Sequence, residues 1–269
     1  MTVKEAISTA KATLPNIESI SKEVLRFFAK ELNCNTAKLI AFDETEVNVE
    51  RLGYFLKKRG ENTPFEYIIN EADFYGELFY VDERVLIPRP ETEILLEYAV
   101  KIAKEISAKS LLDICTGSGI VAVCAKKQIP HLVVAASDIS KKALEVTSIN
   151  KTKHNVEISL IESDLFESPQ TKGFELITAN PPYIQNGYPL EPHVLKEPHN
   201  ALFGGKRGDE IVKRILEAFF SKDYQAIVCE IGYDQKNYVL DTINGKKSIK
   251  YGFYKDYSGF DRGFWIIKD

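Results

Sequence analysis

From Ser110 onward the chain repeats one pattern, a short apolar run followed by a turn and a helix-like stretch, and this repetition narrows the possible folds more than any other feature. The runs fall at residues 111–115, 133–136, 158–161, 176–179, 226–231, 251–254 and 264–267. Strand, helix and strand alternating in this way predict an α/β domain built on a mostly parallel sheet. Residues 90–269, about 180 in all, are enough to enclose a sizeable core.

The part before that domain has a different periodicity. Ile17, Ile20, Val24, Phe27, Phe28 and Leu32 recur at three- and four-residue spacing, which predicts a helix capped at Asn16 or Ser19. Val49, Leu52, Phe55 and Leu56 share one face of a further helix over 49–58. Lys57, Lys58 and Arg59 lie at the end favoured by the helix dipole, and Gly60 is its stop. Residues 74–85, aromatic and β-branched around Gly76, predict a β-hairpin. Pro88 and Pro90 then keep residues 84–90 extended, and Glu91 and Glu93 open a helix running to about residue 106. The expected organisation is a helical substrate-recognition domain over 1–72, a β-hairpin linker over 73–89 and the α/β domain over 90–269.

Charge and cysteine usage exclude other classes. Lysine plus arginine total 35 against 39 aspartate plus glutamate, a formal net charge of −4, and no basic block marks a nucleic-acid stripe. No direct nucleic-acid partner is therefore expected. The four cysteines, Cys34, Cys115, Cys124 and Cys229, form no CxxC pair and follow no secretory leader, which predicts reduced thiols in a cytoplasmic protein. No apolar run approaches the roughly 20 residues that span a bilayer, so no membrane role is expected. His131, His154, His193 and His199 lack ligand spacing, and no metal site is expected.

The first run of the α/β part leads into Asp113-Ile-Cys-Thr116-Gly117-Ser-Gly119 and then an apolar helix. Glycines at a strand-to-helix turn let backbone amides approach a ligand closely, so the loop reads as a nucleotide-type site, although it is not a full GxGxxG fingerprint. Asp138 follows about 20 residues later at the end of the second run, where an acid commonly receives the two hydroxyls of a cofactor ribose. Ser140 beside it is a candidate helix cap. Asp164 after the third run is placed to accept from an adenine amino group, with Leu165 or Phe166 covering the ring. Asp113, Asp138 and Asp164 together predict an electronegative rim suited to a positively charged cofactor.

The fourth run ends in Asn180-Pro181-Pro182-Tyr183, the most specific feature of the chain. Two prolines stiffen the backbone and offer no amide donor, so the Asn180 side chain and the Pro181 carbonyl project as acceptors for a planar NH₂ group, with Tyr183 on its flat face. Such an amine is a poor nucleophile because its lone pair is delocalised. Acceptors that hold both hydrogens orient the lone pair toward an electrophilic carbon. A sulfonium-activated methyl group needs no triad or metal, and the sequence shows neither.

The DxxTGSG loop and the Asn-Pro-Pro-Tyr tetrapeptide on this pattern resemble class I S-adenosylmethionine-dependent methyltransferases, implying a Rossmann-like sheet. Further segments narrow the resemblance. They are Thr63-Pro-Phe-Glu-Tyr-Ile, Phe74-Tyr-Gly, Val85-Leu-Ile-Pro-Arg-Pro-Glu-Thr-Glu, Glu197-Pro-His-Asn-Ala-Leu-Phe-Gly-Gly and Glu230-Ile-Gly-Tyr-Asp-Gln. In this order they resemble the release-factor glutamine N5-methyltransferases from about Gly60 to the C-terminus. The resemblance implies methyl transfer from S-adenosyl-L-methionine to the glutamine amide in the Gly-Gly-Gln motif of class I peptide-chain release factors. It implies cofactor contacts from Asp113, Thr116, Gly117, Gly119, Asp138, Asp164, Leu165 and Asn180. Asn180, Pro181 and Tyr183 are then the catalytic set, and Arg89, Pro90 and Pro182 join them around the substrate. Arg89 has an alternative role, pairing with Glu91 or Glu93. Two departures stand out: Cys115 replaces a residue that is usually glycine, and Asn70 replaces a common glycine, a change its tolerance of positive φ accommodates.

Overall fold

The computed structural model describes residues 1–269. They divide into two compact units, Met1–Asn70 with Glu191–Lys196, and Glu71–Leu190 with Glu197–Asp269.

The first unit carries α1 (Val3–Thr13), α2 (Ile20–Glu31), α3 (Thr36–Ala41), α4 (Val49–Gly60) and α5 (Phe65–Ile69). Their starts follow from local chemistry: Thr2 and Glu5 form a reciprocal capping box on α1, and Asn35 and Asn48 accept first-turn amides of α3 and α4. Ser19 precedes α2, but its hydroxyl donates to Glu23 at 2.7 Å and leaves the helix amides uncapped. Glu23 also receives two guanidinium nitrogens of Arg59 at 2.6 and 3.0 Å, tying α2 to α4. Val24, Phe27, Phe28, Leu52, Phe55 and Phe65 form the interior. Val49, expected on that face, is 57% exposed, because the first turn of α4 runs beyond the apolar interior. Asn70 ends α5 with φ of +49°, the conformation expected where a glycine is common.

The second unit opens with an antiparallel hairpin, β1 (Ala72–Phe74) and β2 (Glu77–Phe79). It is more than a linker: Phe74 and Phe79 are buried in one core with Leu95, Leu96 and Ile102 of α6 (Glu91–Glu105). Fully burying each such ring stabilises the unit by roughly 1.5–3 kcal/mol. The boundary expected after residue 72 therefore falls inside β1, and the hairpin belongs to the α/β unit.

The rest of that unit comprises β3 (Ser110–Ile114), α7 (Ile120–Gln128), β4 (Val133–Asp138), α8 (Lys141–Lys153), β5 (Ser159–Glu162), β6 (Leu176–Ala179), β7 (Ile184–Gln185), α9 (His199–Leu202) and β8 (Phe203–Gly205). It continues through α10 (Glu210–Ser221), β9 (Ala226–Glu230), α11 (Lys236–Ile243), β10 (Ile249–Lys255) and β11 (Asp261–Lys268). A seven-stranded sheet has the order β10-β11-β9-β6-β3-β4-β5; its last five strands in that order are parallel and β11 runs antiparallel to both neighbours. Both faces are covered. Leu95, Ala99, Val121 and Ala122 pack on one, and Val212, Ile215, Leu216 and Phe219 on the other. This is why β3, β6 and β9 read as continuous apolar runs. The chain leaves β3 in one direction for β4 and returns on its other side as β6, which creates a switch point at the carboxyl ends of these strands, where ligands of such sheets bind.

Candidate active site

The loop after β3 is shaped by backbone conformation. Cys115 has φ of +55°, in the left-handed region where an L-residue pays roughly 1–2 kcal/mol, which explains why glycine suits this position. Neighbouring groups over-determine the turn. The Thr116 amide donates to the Ser137 carbonyl at 3.0 Å, the Thr147 hydroxyl to the Gly117 carbonyl at 2.9 Å, and the Asn150 amide to the Ser118 carbonyl at 2.8 Å. Gly119, expected at the cofactor, has another task. Its amide closes the turn on the Thr116 carbonyl at 2.9 Å, and a Cβ on it would overlap the Thr147 side chain, so it lets α7 approach α8.

The three acids diverge in environment. Asp113 is buried, accepting the Thr116 hydroxyl at 2.6 Å and the Thr178 hydroxyl at 2.7 Å. Burial pushes its pKa up to about 6, and these hydrogen bonds oppose the shift only in part. Asp138 accepts the Gly117 amide at 3.0 Å and the Ser140 amide at 2.8 Å; its pKa is also raised by burial. Ser140 meanwhile caps α8 by accepting from Ala143, the capping role expected of it. Asp164 receives the Arg214 guanidinium at 2.9 Å, and Arg214 lies on the same wall. The three acids of the expected rim thus differ in setting: Asp113 is enclosed, Asp164 is paired with Arg214, and Asp138 tethers the loop.

Downstream of β6, the Asn180 Nδ2 donates to Thr92 Oγ1 at 3.0 Å, the Thr92 hydroxyl donates to Glu230 Oε2 at 2.9 Å, and the Tyr183 hydroxyl donates to Glu230 Oε1 at 3.0 Å. Burial raises the pKa of Glu230 to about 7. The Tyr183 phenol, buried beside this acid, is pushed up as well. The backbone that follows is held by Gln235, which donates to the carbonyls of Tyr183 at 3.1 Å and Gly208 at 3.0 Å. Gly204 allows the approach of this segment: a Cβ there would overlap the Pro182 and Gly208 carbonyl oxygens. We expect Gly204→Ala to destabilise the protein by about 1–3 kcal/mol and to slow turnover, read by thermal unfolding and initial rates. A wild-type melting temperature would show that the segment is free to shift.

A cavity of about 270 Å³ opens at this edge. Its walls include Arg89, Asp113, Thr116, Gly117, Asp138, Asp164, Leu165, Asn180 and Pro182 among the expected residues. Pro90, Gly119, Pro181 and Tyr183 do not line it. Pro90 instead precedes α6 as its N-cap, and the Tyr183 ring, expected to lie flat on the substrate, spends its hydroxyl on Glu230 behind the wall. Arg89 pairs with Glu197 at 2.5 Å, in place of Glu91 or Glu93, and Glu197 also accepts the Ile87 amide at 3.0 Å. The buried Glu197 thereby pins the Ile-Pro-Arg-Pro segment to the cavity. Thr92, Thr178, Glu197, Arg214 and Glu230 received no role from the sequence. Glu230 carried a signal in being an acid that closes the apolar run of β9.

A reversed final hairpin on a parallel sheet, a glycine loop after its first strand and an acid ending the second define a class I methyltransferase. The Methyltransferase small domain family matches residues 90–198. The chain is 32% identical to the release factor glutamine methyltransferase of Clostridium acetobutylicum, over 97% of each chain. It is 40% identical to that of Streptococcus pneumoniae, over 79% of each. The chain belongs to the release factor glutamine methyltransferase family. Among solved structures, the hMettl16 catalytic domain in complex with MAT2A 3'UTR hairpin 6 is similar in fold alone, with a TM-score of 0.57 and 12% identity, covering 80% of this chain and 91% of that one. No helix is long and apolar enough to cross a membrane.

Proposed function

We propose that this enzyme transfers a methyl group from S-adenosyl-L-methionine to the side-chain amide nitrogen of the glutamine in the Gly-Gly-Gln loop of class I peptide-chain release factors. One observation carries the reading: Asn180, the glycine loop and Asp138 line a single cavity, so an acceptor for a planar NH₂ group adjoins a nucleotide-type site. The residues suit the cofactor. Asp138 uses one lone pair on each oxygen for loop amides and keeps others for a ribose diol, while Leu165 and Ile139 offer apolar cover for a purine. S-adenosylmethionine, when bound, supplies an electrophilic methyl group on a sulfonium centre. Asn180, on the cavity wall, receives one amide hydrogen of the glutamine through Oδ1, whereas Pro181, outside that lining, is given no direct contact. Holding that hydrogen fixes the plane of the amide and aims the nitrogen lone pair toward the cofactor side of the cavity.

Two measurements test this reading. Labelled methyl groups are expected in purified release factor and not in DNA or RNA offered beside it, and peptide mass spectrometry is expected to place the added mass on the Gly-Gly-Gln glutamine. Label confined to nucleic acid, or cofactor binding with no methylated peptide, would overturn it.

The acids also give the cofactor site a pH dependence. Asp113, raised to about 6, is largely protonated in the free protein below that pH, whereas a cationic ligand favours its carboxylate. Cofactor affinity is expected to fall as pH drops from 7 to 5, with a proton released on binding near pH 5.5; raised Asp138 acts in the same sense. Calorimetry in buffers of different ionisation enthalpy reads that proton directly. Affinity indifferent to pH across this range would contradict the assignment.

A further inference from the structure

We infer that Thr92, Glu230 and Tyr183 form a positioning relay that decides which end of the Asn180 carboxamide faces the substrate. The inference rests on the reading above, in which Asn180 must present its oxygen. A carboxamide has two nearly isosteric orientations, and here the direction of each hydrogen bond distinguishes them. A Glu230 carboxylate only accepts, so it draws the Thr92 hydroxyl hydrogen at 2.9 Å and the Tyr183 hydroxyl hydrogen at 3.0 Å. With its hydrogen committed, Thr92 Oγ1 has only acceptor capacity for Asn180, 3.0 Å away, and that contact must be made by Nδ2. Oδ1 is left for the cavity. Thr92 and Glu230 are 1% exposed, so no bulk water competes for these positions.

The relay depends on the charge of Glu230. The groups facing it are Thr92 and Glu91 from α6, Tyr183 from the Asn-Pro-Pro-Tyr segment, Arg262 from β11, and Tyr254 from β10, with Cys229 adjacent in β9. Arg262 approaches the Tyr183 hydroxyl at 3.4 Å and is itself paired with Asp256 at 2.8 Å, so its charge only partly offsets burial. The carboxyl accordingly ionises near pH 7. Below that pH a protonated Glu230 donates to Thr92, releasing the Thr92 hydrogen toward Asn180. The amide then turns and offers NH₂ to a substrate that needs an acceptor.

Three variants test the relay. Thr92→Val, close in shape but without the hydroxyl, is expected to lower kcat by about 10-fold or more with cofactor affinity within about 2-fold, and Thr92→Ser to restore most of it. The wild-type kcat is expected to fall as pH drops through about 7; Tyr183→Phe, which removes a donor to the carboxylate, should move that limb to higher pH, and Glu230→Gln should abolish it. The Asn180 side-chain amide signal in nitrogen-15 NMR reads the same switch without turnover. It is expected to titrate near pH 7 in the wild type and not in Glu230→Gln. Wild-type kcat in Thr92→Val, or an Asn180 signal unchanged across that pH, would overturn the relay. If no release factor is methylated at all, the functional reading falls while the NMR titration still decides the relay.

Discussion

Asn180→Ala is expected to lower methyl-transfer turnover by roughly 10²-fold or more while cofactor affinity stays within about 2-fold. The expected size is that of a lost transition-state partner, because a glutamine amide becomes a competent nucleophile only when its hydrogens are held and its lone pair is turned. The alanine side chain removes the acceptor and leaves Thr92 Oγ1, a 3.0 Å partner in the wild type, without the Asn180 amide. The glycine loop, proposed to hold the cofactor, is not tethered through Asn180; Thr147, Ser137 and Asn150 hold it. Single-turnover rates with saturating cofactor separate the two effects. Turnover near the wild-type value would remove Asn180 from the chemistry.

Asp138→Ala is expected to act on the opposite quantity, weakening cofactor binding by roughly 10- to 100-fold. Hydrogen bonds to a charged group contribute about 1.5–3 kcal/mol, and the carboxylate is proposed to receive a ribose diol while it anchors two loop amides. Its loss releases Gly117 and Ser140 together, so the cradle loosens as well as losing its acceptor. The Asn180 arrangement, more remote along the sheet edge, should survive, leaving the single-turnover rate at saturating cofactor close to normal. Titration calorimetry measures the affinity directly, and an unchanged dissociation constant would contradict the ribose assignment.

What the sequence disclosed and what it withheld differ by range. The glycine loop, Asp138 and Asn180 lie within motifs whose geometry is set by a few neighbouring residues, and they meet at one edge because an alternating chain must bring parallel strand ends together. The charge partners were not legible. Arg214 reaches Asp164 across 50 residues of chain and Thr92 reaches Glu230 across 138, and no local pattern encodes such pairings. Tyr183 shows the same limit inside a recognised motif: its backbone place was readable, but its hydroxyl faces an acid contributed by β9. Gly119 shows it for glycine, since the sequence marks where a side chain is missing and not whether a ligand or Thr147 occupies the room. Val49 fits the periodicity of a buried face yet sits beyond the interior that the face meets.

The Asn150 carboxamide, fully buried, accepts the Tyr80 amide at 2.7 Å, donates to the Tyr80 carbonyl at 3.0 Å and also donates to Ser118 in the glycine loop. One side chain therefore joins the segment leaving the hairpin to the glycine loop after β3. Chimaeras that exchange the N-terminal helical segment between relatives thus have a natural seam at Asn70 and Glu71, with Glu191–Lys196 of the same unit exchanged alongside. Crossing over at residue 90, where the methyltransferase family match begins, would separate the glycine loop from one of its own supports and carry Phe74 and Phe79 away from the core they complete.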